Sequence, residues 1–249
     1  MRTFTIGDLH GNYKALKQVL ERSGFDYEND RLITLGDIVD GYPEVYECVE
    51  ELLKIKNRID IRGNHDFWFY EWIGTGAHPA LWGQGGKGTF KSYFFNLGLK
   101  EEEILTPHLL PREHISFFAR QLPYYIDDEN RLYVHGGINR HYPITDDINN
   151  HDLFMWDRDF FMAAMSSAGR SEEDQKNHPF KIKGEYKKVF VGHTTTLMWG
   201  DNKPIKAGQV WNLDTGAGWQ HKLTIMNVDT EEYWQSDLGS ELYPNEQGR

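Results

Sequence analysis

Five short segments of the chain set Asp, Asn or His beside glycine. They are Gly7-Asp8-Leu9-His10-Gly11, Gly36-Asp37-Ile38-Val39-Asp40, Arg62-Gly63-Asn64-His65-Asp66, His135-Gly136-Gly137 and Gly192-His193-Thr194. Carboxylate, amide and imidazole groups are ligands for hard and borderline divalent metals. Together they suffice for two adjacent ions, and two ions about 3.5–4 Å apart need a shared anionic bridge. Asp37 lies between the other segments and is the expected bridge. Asp8 and His10, two residues apart, are expected to face one side of an extended segment and complete the first site. Asn64, His135 and His193 are expected to complete the second. The adjoining glycines let the backbone turn sharply and approach the metals.

Such a pair of ions implies hydrolysis. A water bridging them loses a proton near neutral pH and becomes the nucleophile. The leaving oxygen then needs a proton. His65, next to the ligand Asn64, is the expected donor, with Asp40 as the carboxylate that orients it. A lone Asp or His at a strand end is ordinarily a turn former or cap. It is the five segments together that carry the metal reading. His78, His108, His114, His141, His151, His178 and His221 have no such context and read as surface or core histidines.

The elements that must position these residues follow from the apolar pattern. Phe4 to Ile6, Leu32 to Leu35 and Ile59 to Ile61 read as strands delivering Asp8, Asp37 and Asn64. Between them, helices are predicted from Tyr13 to Arg22 and from Pro43 through a stripe of Val45, Cys48, Val49, Leu52 and Leu53. This alternation favours a mostly parallel sheet with ligands gathered at the carboxyl ends of its strands. The glycine-rich stretch from Gly74 to Gly88 reads as a loop at the site mouth. Its Gly83-Gln84-Gly85-Gly86-Lys87-Gly88-Thr89 does not fit a phosphate loop, because Gly88 separates Lys87 from Thr89 and no strand precedes it. Helices are predicted around Phe90 to Asn96 and Arg112 to Gln121. Further on, Leu132 to Val134, Val189 to Val191, Val210 to Leu213, Leu223 to Val228 and Glu232 to Gln235 are strand-like, and Ser166 to Lys176 is a solvated helix or loop. No linker divides the 249 residues, so one domain over 1–249 is expected, two sheets sharing a core with the ligands along one edge.

A hydrophobic content of 39% supports a real core, and the formal charge of −11 argues against long nucleic acid as a partner. The single cysteine, Cys48, excludes an intrachain disulfide and reads as a small core residue. No apolar run is long enough for a bilayer, and Phe4 to Ile6 runs straight into the first motif. A soluble cytoplasmic protein without a membrane partner is expected.

The five segments closely resemble those of the calcineurin-like metallophosphoesterases. Within that group they look most like the phosphoprotein phosphatase family, including the phage lambda type and the symmetrical diadenosine tetraphosphatases. The resemblance runs from Asp8 to about Gly218. It includes Trp156-Asp157-Arg158, similar to the phage-type segment whose arginine grips phosphate, and Asn212-Leu213-Asp214-Thr215-Gly216-Ala217, similar to a late DTGA segment. It implies a four-layer α/β/β/α sandwich, two divalent metals (Mn²⁺ first, Fe or Zn²⁺ open), hydrolysis without a phosphoenzyme, and the same roles for His65 and Asp40. It also implies substrate contacts from Arg158 and Asn64. One departure stands out: where the family has arginine after the second motif's last Asp, Asp40 is followed by Gly41 and Tyr42. Arg158 alone, or Lys87 reaching in from the glycine-rich stretch, is left to bind phosphate. Asp66 stands where many members have Glu.

Three functions follow. The first is hydrolysis of phosphate monoesters, with phosphoserine or phosphothreonine proteins ahead of small phosphoesters. The second is hydrolysis of dinucleoside polyphosphates or nucleotides, for which aromatics such as Trp68, Phe69, Trp72, Trp82 or Trp199 would have to line the cleft instead of the core. The third is a non-catalytic binding protein on this fold, which should have lost ligands or the acid. None is lost here.

Overall fold

The computed structural model of the protein describes residues 1–79, 82–100, 102–146 and 150–249. In chain order the elements are β1 (Thr3–Ile6), α1 (Tyr13–Arg22), β2 (Arg31–Thr34), α2 (Val45–Leu53), β3 (Asn57–Asp60), α3 (Asn64–Thr75), α4 (Gly86–Asn96) and α5 (Arg112–Ala119). There follow β4 (Tyr124–Ile126), β5 (Arg131–Val134), α6 (His151–Trp156), α7 (Asp159–Ala168), α8 (Glu172–Asn177), β6 (Lys188–Val191), β7 (Ile205–Ala207), β8 (Val210–Asn212), β9 (Thr224–Asn227), β10 (Tyr233–Gln235) and α9 (Gly239–Leu242).

Among these residues two five-stranded sheets form, ordered β10-β9-β1-β2-β3 and β4-β5-β6-β8-β7. β1, β2 and β3 run parallel in register Thr3–Arg31–Asn57, while β9 and β10 are antiparallel. In the second sheet β5, β6 and β8 are parallel, with antiparallel β4 and β7 at the edges. Both sheets are therefore mixed.

Strand alternation sorts the side chains into layers. In the first sheet Phe4, Ile6, Leu32 and Ile225 face outward, onto Leu16 and Val19 of α1, Cys48 and Val49 of α2, Phe69 of α3 and Phe118 of α5. Ile33 and Met226, one residue on, face inward and meet Tyr133, Phe190 and Trp211 of the second sheet. That sheet turns Leu132, Val134, Val189 and Val210 outward onto Phe154 of α6 and Phe160 and Phe161 of α7. The order of layers is helix, sheet, sheet, helix, as the resemblance implied.

Local chemistry fixes the helix starts. Asn12 caps α1, its Oδ1 accepting the Ala15 amide at 3.1 Å. Asp66 in the first turn of α3 accepts the Gly63 amide at 3.2 Å. The glycine-rich stretch departs from expectation. It is not loop throughout, since α3 reaches Thr75 and α4 begins at Gly86. Part of it, residues 80 and 81, lies outside the described residues. Gly88 sits in α4 because a Cβ there would collide with the Gly41 carbonyl. That glycine serves close packing and not flexibility. The short edge strands β4 and β7 and the helices α6, α7 and α9 are further elements that the sequence reading does not announce.

Each predicted ligand follows the carboxyl end of a strand. Asp8 follows β1, Asp37 β2, Asn64 β3, His135 β5 and His193 β6. Three parallel strands of one sheet and two of the other thus end at one edge.

Candidate metal centre

The edge is built from turns. His10, Asp37, Asp40 and His193 all have positive φ, at 51°, 51°, 71° and 62°. The expectation that Asp8 and His10 share an extended segment is therefore corrected: His10 is left-handed, and a turn swings its ring toward Asp37. Asp8, His10, Asp37, Asn64, His65, His135 and His193 are all at most 2% exposed. Asp8, His10 and Asp37 each offer a ligand atom within 4.8 Å of the others, and so do Asp37, His135 and His193. Asp37 is common to both groups.

The hydrogen bonds show which atoms remain free. His10 donates Nδ1–H to the Val39 carbonyl at 3.1 Å, leaving Nε2 3.6 Å from Asp37 Oδ2. His135 donates Nδ1–H to the Leu35 carbonyl at 2.6 Å and turns Nε2 to Asn64 Oδ1 at 3.1 Å and Asp37 Oδ2 at 3.4 Å. This is the pattern of a metal-binding imidazole, one nitrogen fixed by a carbonyl and the other aimed into the site. Asp37 Oδ1 accepts the His65 amide at 3.0 Å, whereas Oδ2 has no hydrogen-bond partner. The Asp8 carboxylate accepts the His193 amide at 3.1 Å. Both ring nitrogens of His193 are buried and unbonded.

An unbonded buried imidazole is costly. Here it faces an unbonded carboxylate oxygen, so the donor set fits divalent metal ions. The electrostatics divide the three imidazoles. Burial, then the positive His135 and Arg158, push His193 down to about 2, so its ring is neutral. Burial also holds His10 well below the ordinary imidazole range. His135 goes the other way: burial opposes its charge, but Asp37 and Asp8 push it up to about 9. Burial alone would raise Asp37, yet His135 and His65 overcome it and hold the carboxyl well below the usual range.

The predicted acid and its partner also meet. His65 donates Nδ1–H to Asp40 Oδ2 at 2.6 Å. Asp40 accepts two further bonds, from Trp82 Nε1 on Oδ2 at 2.7 Å and from the Thr89 hydroxyl on Oδ1 at 2.7 Å. Asp66 ties the second segment to the third: Oδ1 accepts the Ile38 amide at 2.8 Å, and Oδ2 accepts from Gly63 and from Gln121 Nε2. This residue organises the backbone around Asp37 from outside the ligand set.

Arg158 lies at the edge of the cluster, donating Nη1–H to the His193 carbonyl at 2.7 Å. Lys87 is exposed in the first turn of α4, along an outer groove with Gly41 and Lys91. Gly41 itself has φ +81°, and a Cβ there would lie 3.0 Å from the His10 carbonyl. A side chain at this position is strained.

Aromatic and basic neighbours, only Trp156 of them within a motif segment, surround the site. Trp156 is 38% exposed, with its ring 5.2 Å from Trp68 and 6.0 Å from His193. Trp68 in turn lies 4.9 Å from His65. Trp219 is 43% exposed, and the guanidinium of Arg249 lies 4.9 Å from its ring centroid. Arg249 also donates Nη1–H to His65 Nε2 at 2.6 Å. Among the aromatics that a nucleotide reading would need in the cleft, Trp68, Phe69, Trp72 and Trp82 are buried, and Trp199 packs beside Phe161. Of the other histidines, His114 is a buried core residue between Tyr93 and Glu50, while His78, His108, His141, His151 and His178 are exposed and His221 is half-buried. Cys48 is buried. Among the described residues no helix is long and apolar enough to cross a membrane.

Comparison with known proteins places this geometry. The profile of calcineurin-like phosphoesterases matches residues 1–197. A symmetrical bis(5'-nucleosyl)-tetraphosphatase of Pseudomonas fluorescens is 24% identical over 97% of this chain and 96% of its own. The protein of the same name from Coxiella burnetii is 24% identical over 95% of this chain and 93% of its own. Among solved structures, a metallophosphoesterase from Sphaerobacter thermophilus superposes with a TM-score of 0.53 at 19% identity, covering 96% of this chain and 89% of that one, a likeness of fold. The profile match spans the ligand segments through Gly192-His193-Thr194, and with the clustered donors it shows that the chain belongs to the calcineurin-like phosphoesterases, metal-dependent hydrolases of phosphoric esters.

Proposed function

We propose that the chain hydrolyses phosphoric esters or anhydrides of nucleotides, with dinucleoside polyphosphates as the leading substrate class. The observation that carries this reading is Trp156, an exposed indole seated on Trp68 and beside His193. An aromatic plate at the rim of a phosphoryl site suits a base, since stacking contributes about 1–3 kcal/mol per base. The helices that carry the two indoles, α6 and α3, also frame a cavity of about 300 Å³ lined by Arg62, Phe67, Pro123, His151, Asp152 and Met155. That is at the lower end of the size range of ligand pockets. Relatives aligned over nearly the whole chain carry the tetraphosphatase name.

In this reading Asp8, His10 and Asp37 hold one divalent ion, and Asp37, Asn64, His135 and His193 hold the other, with Mn²⁺ as the leading metal. When bound, the ions supply Lewis acidity for phosphoryl transfer to water. His65 donates the proton at Nε2 to the leaving oxygen, while Asp40 holds Nδ1–H and sets the ring's orientation. Asn64 and Arg158 bind the phosphoryl group. Burial of every ligand and of the acid in one cluster supports an enzyme over a binding protein on the same fold. A cytoplasmic setting and one domain over 1–249 belong to the same reading.

Phosphoserine or phosphothreonine proteins are the second substrate class, favoured by Arg158 at the His193 carbonyl, where the Trp156-Asp157-Arg158 segment led us to expect a phosphate contact. A Mn²⁺ assay of dinucleoside tetraphosphate, phosphopeptides, aryl phosphate and a phosphodiester separates the two. Trp156→Ala should raise KM for the dinucleotide by about tenfold or more and leave aryl phosphate unchanged. Turnover of phosphopeptides alone, or no effect at Trp156, would favour the second class.

A further inference from the structure

The side chain of Arg249 is 7% exposed, and it is not a trailing surface arginine. The segment that carries it is anchored step by step. Tyr243 packs on Tyr42 at 4.5 Å and donates its hydroxyl to Glu44. Glu246 pairs with Lys91 and accepts from Gln220. The Arg249 amide donates to the Gly218 carbonyl at 2.9 Å. Gly41 and Gly85 leave the passage open: a Cβ on Gly85 would lie 3.0 Å from that of Arg249, and one on Gly41 would lie 3.5 Å from its amide.

At the end of this path the guanidinium is poorly matched. Nε is buried without a partner. Nη1 meets an imidazole nitrogen, His65 Nε2, at 2.6 Å, and the nearest carboxylate in its ion pairing is Asp37 Oδ2 at 3.7 Å. Asp37 is the shared candidate ligand, so its charge is spoken for once cations bind. Asp214 and Asp8 also feel the guanidinium's charge, yet a buried, permanently charged fork aimed at a cation site, with a donor unspent, favours an anion between them. Arg158 lies on the other flank, its guanidinium pushed below its ordinary value by burial and by the charge of Arg249.

We propose that Arg249 is a phosphate-binding residue of this site, gripping a non-bridging phosphoryl oxygen beside His65 while Arg158 approaches from the His193 side. The Arg249 Nη1–H meets His65 Nε2 at 2.6 Å, which sets the fork beside the proposed acid. This rests on the reading of the edge as a phosphoryl site, but not on which phosphoester is the substrate.

The test is calorimetric titration of the Mn²⁺-loaded full chain with inorganic phosphate, alongside metal content. Arg249→Met keeps the stem and removes the fork. It should weaken phosphate binding by about tenfold or more, the range of one charge-assisted hydrogen-bonding group, with metal content unchanged. Arg249→Lys should recover part of the loss, and KM for aryl phosphate should rise in parallel. Phosphate binding in Arg249→Met as tight as in the parent, or tighter, overturns the proposal. So does a loss of metal that accounts for the weaker binding in both variants. If the parent with full metal binds no phosphate, the phosphoryl-site reading falls first and Arg249 falls with it.

Discussion

Trp82 and His65 bind the same oxygen. Asp40 Oδ2 accepts the indole N–H at 2.7 Å and the imidazole Nδ1–H at 2.6 Å, while the Thr89 hydroxyl holds Oδ1. Three donors fix one buried carboxylate, so the ring of the proposed acid is oriented from behind by residues that do not reach the metals. Trp82→Phe should lower kcat by about tenfold, within the share that positioned acid catalysis supplies, with KM and metal content unchanged. Thr89→Val should act the same way. A drop in bound metal instead would make Trp82 a scaffold residue for the whole edge.

Asp37 is the carboxylate common to both ligand groups. Asp37→Asn should therefore lose both ions and activity together, measured by metal analysis after gel filtration. Retention of two ions at full activity would sink the assignment.

His65 lies beside both ligand groups but belongs to neither. His65→Asn should keep its metals and lose about 10²–10⁴-fold in kcat. The loss should be smaller with aryl phosphate, whose leaving group needs little protonation. An equal loss with aryl and alkyl esters would count against proton donation.

Away from the site, Glu51 offers a pH test. Burial alone would raise its carboxyl. Hydrogen bonds from Lys17, Lys54 and Tyr27 outweigh that and hold it at about 2, against an ordinary 4.5. The depressed value belongs to the folded state, so the stabilisation is complete above the unfolded pKa near 4.5 and is lost as pH falls toward 2. Both lysines are about half exposed, which reduces the contribution to about 1–2 kcal/mol. Urea midpoints of Glu51→Gln should fall below the parent at pH 7 and converge with it as pH falls from about 4.5 to about 2. A constant gap over that range would show that the charge is not responsible.

The candidate ligand edge was legible because metal chemistry restricts both residue type and spacing. Asp8, His10, Asp37, Asn64, His135 and His193 each sit in a segment short enough to read, and the alternation of Leu32 with Ile33 or Leu132 with Tyr133 announces which layer each faces. What surrounds them was less legible. Arg249 reaches His65 across 184 positions and Thr89 reaches Asp40 across 49. A single arginine or threonine has no periodicity that points to a partner so far away. Trp82 reads as core by type, and it is core, yet its one polar atom serves the site. The strands β4 and β7, three residues each, are too short to show a period.

The left-handed backbone at His10, Asp37, Asp40 and His193 has an evolutionary consequence. Conformations of this kind cost about 1–2 kcal/mol each for L-residues, less for Asp, and nothing of that order for glycine. At all four positions the mutation that best relaxes the chain also deletes a candidate ligand or the carboxylate behind the proposed acid. Selection for stability and selection for turnover therefore pull in opposite directions at the same codons. A lineage released from catalysis should drift to glycine or asparagine at positions 10, 37, 40 and 193, and its metal-free protein should melt higher than this one.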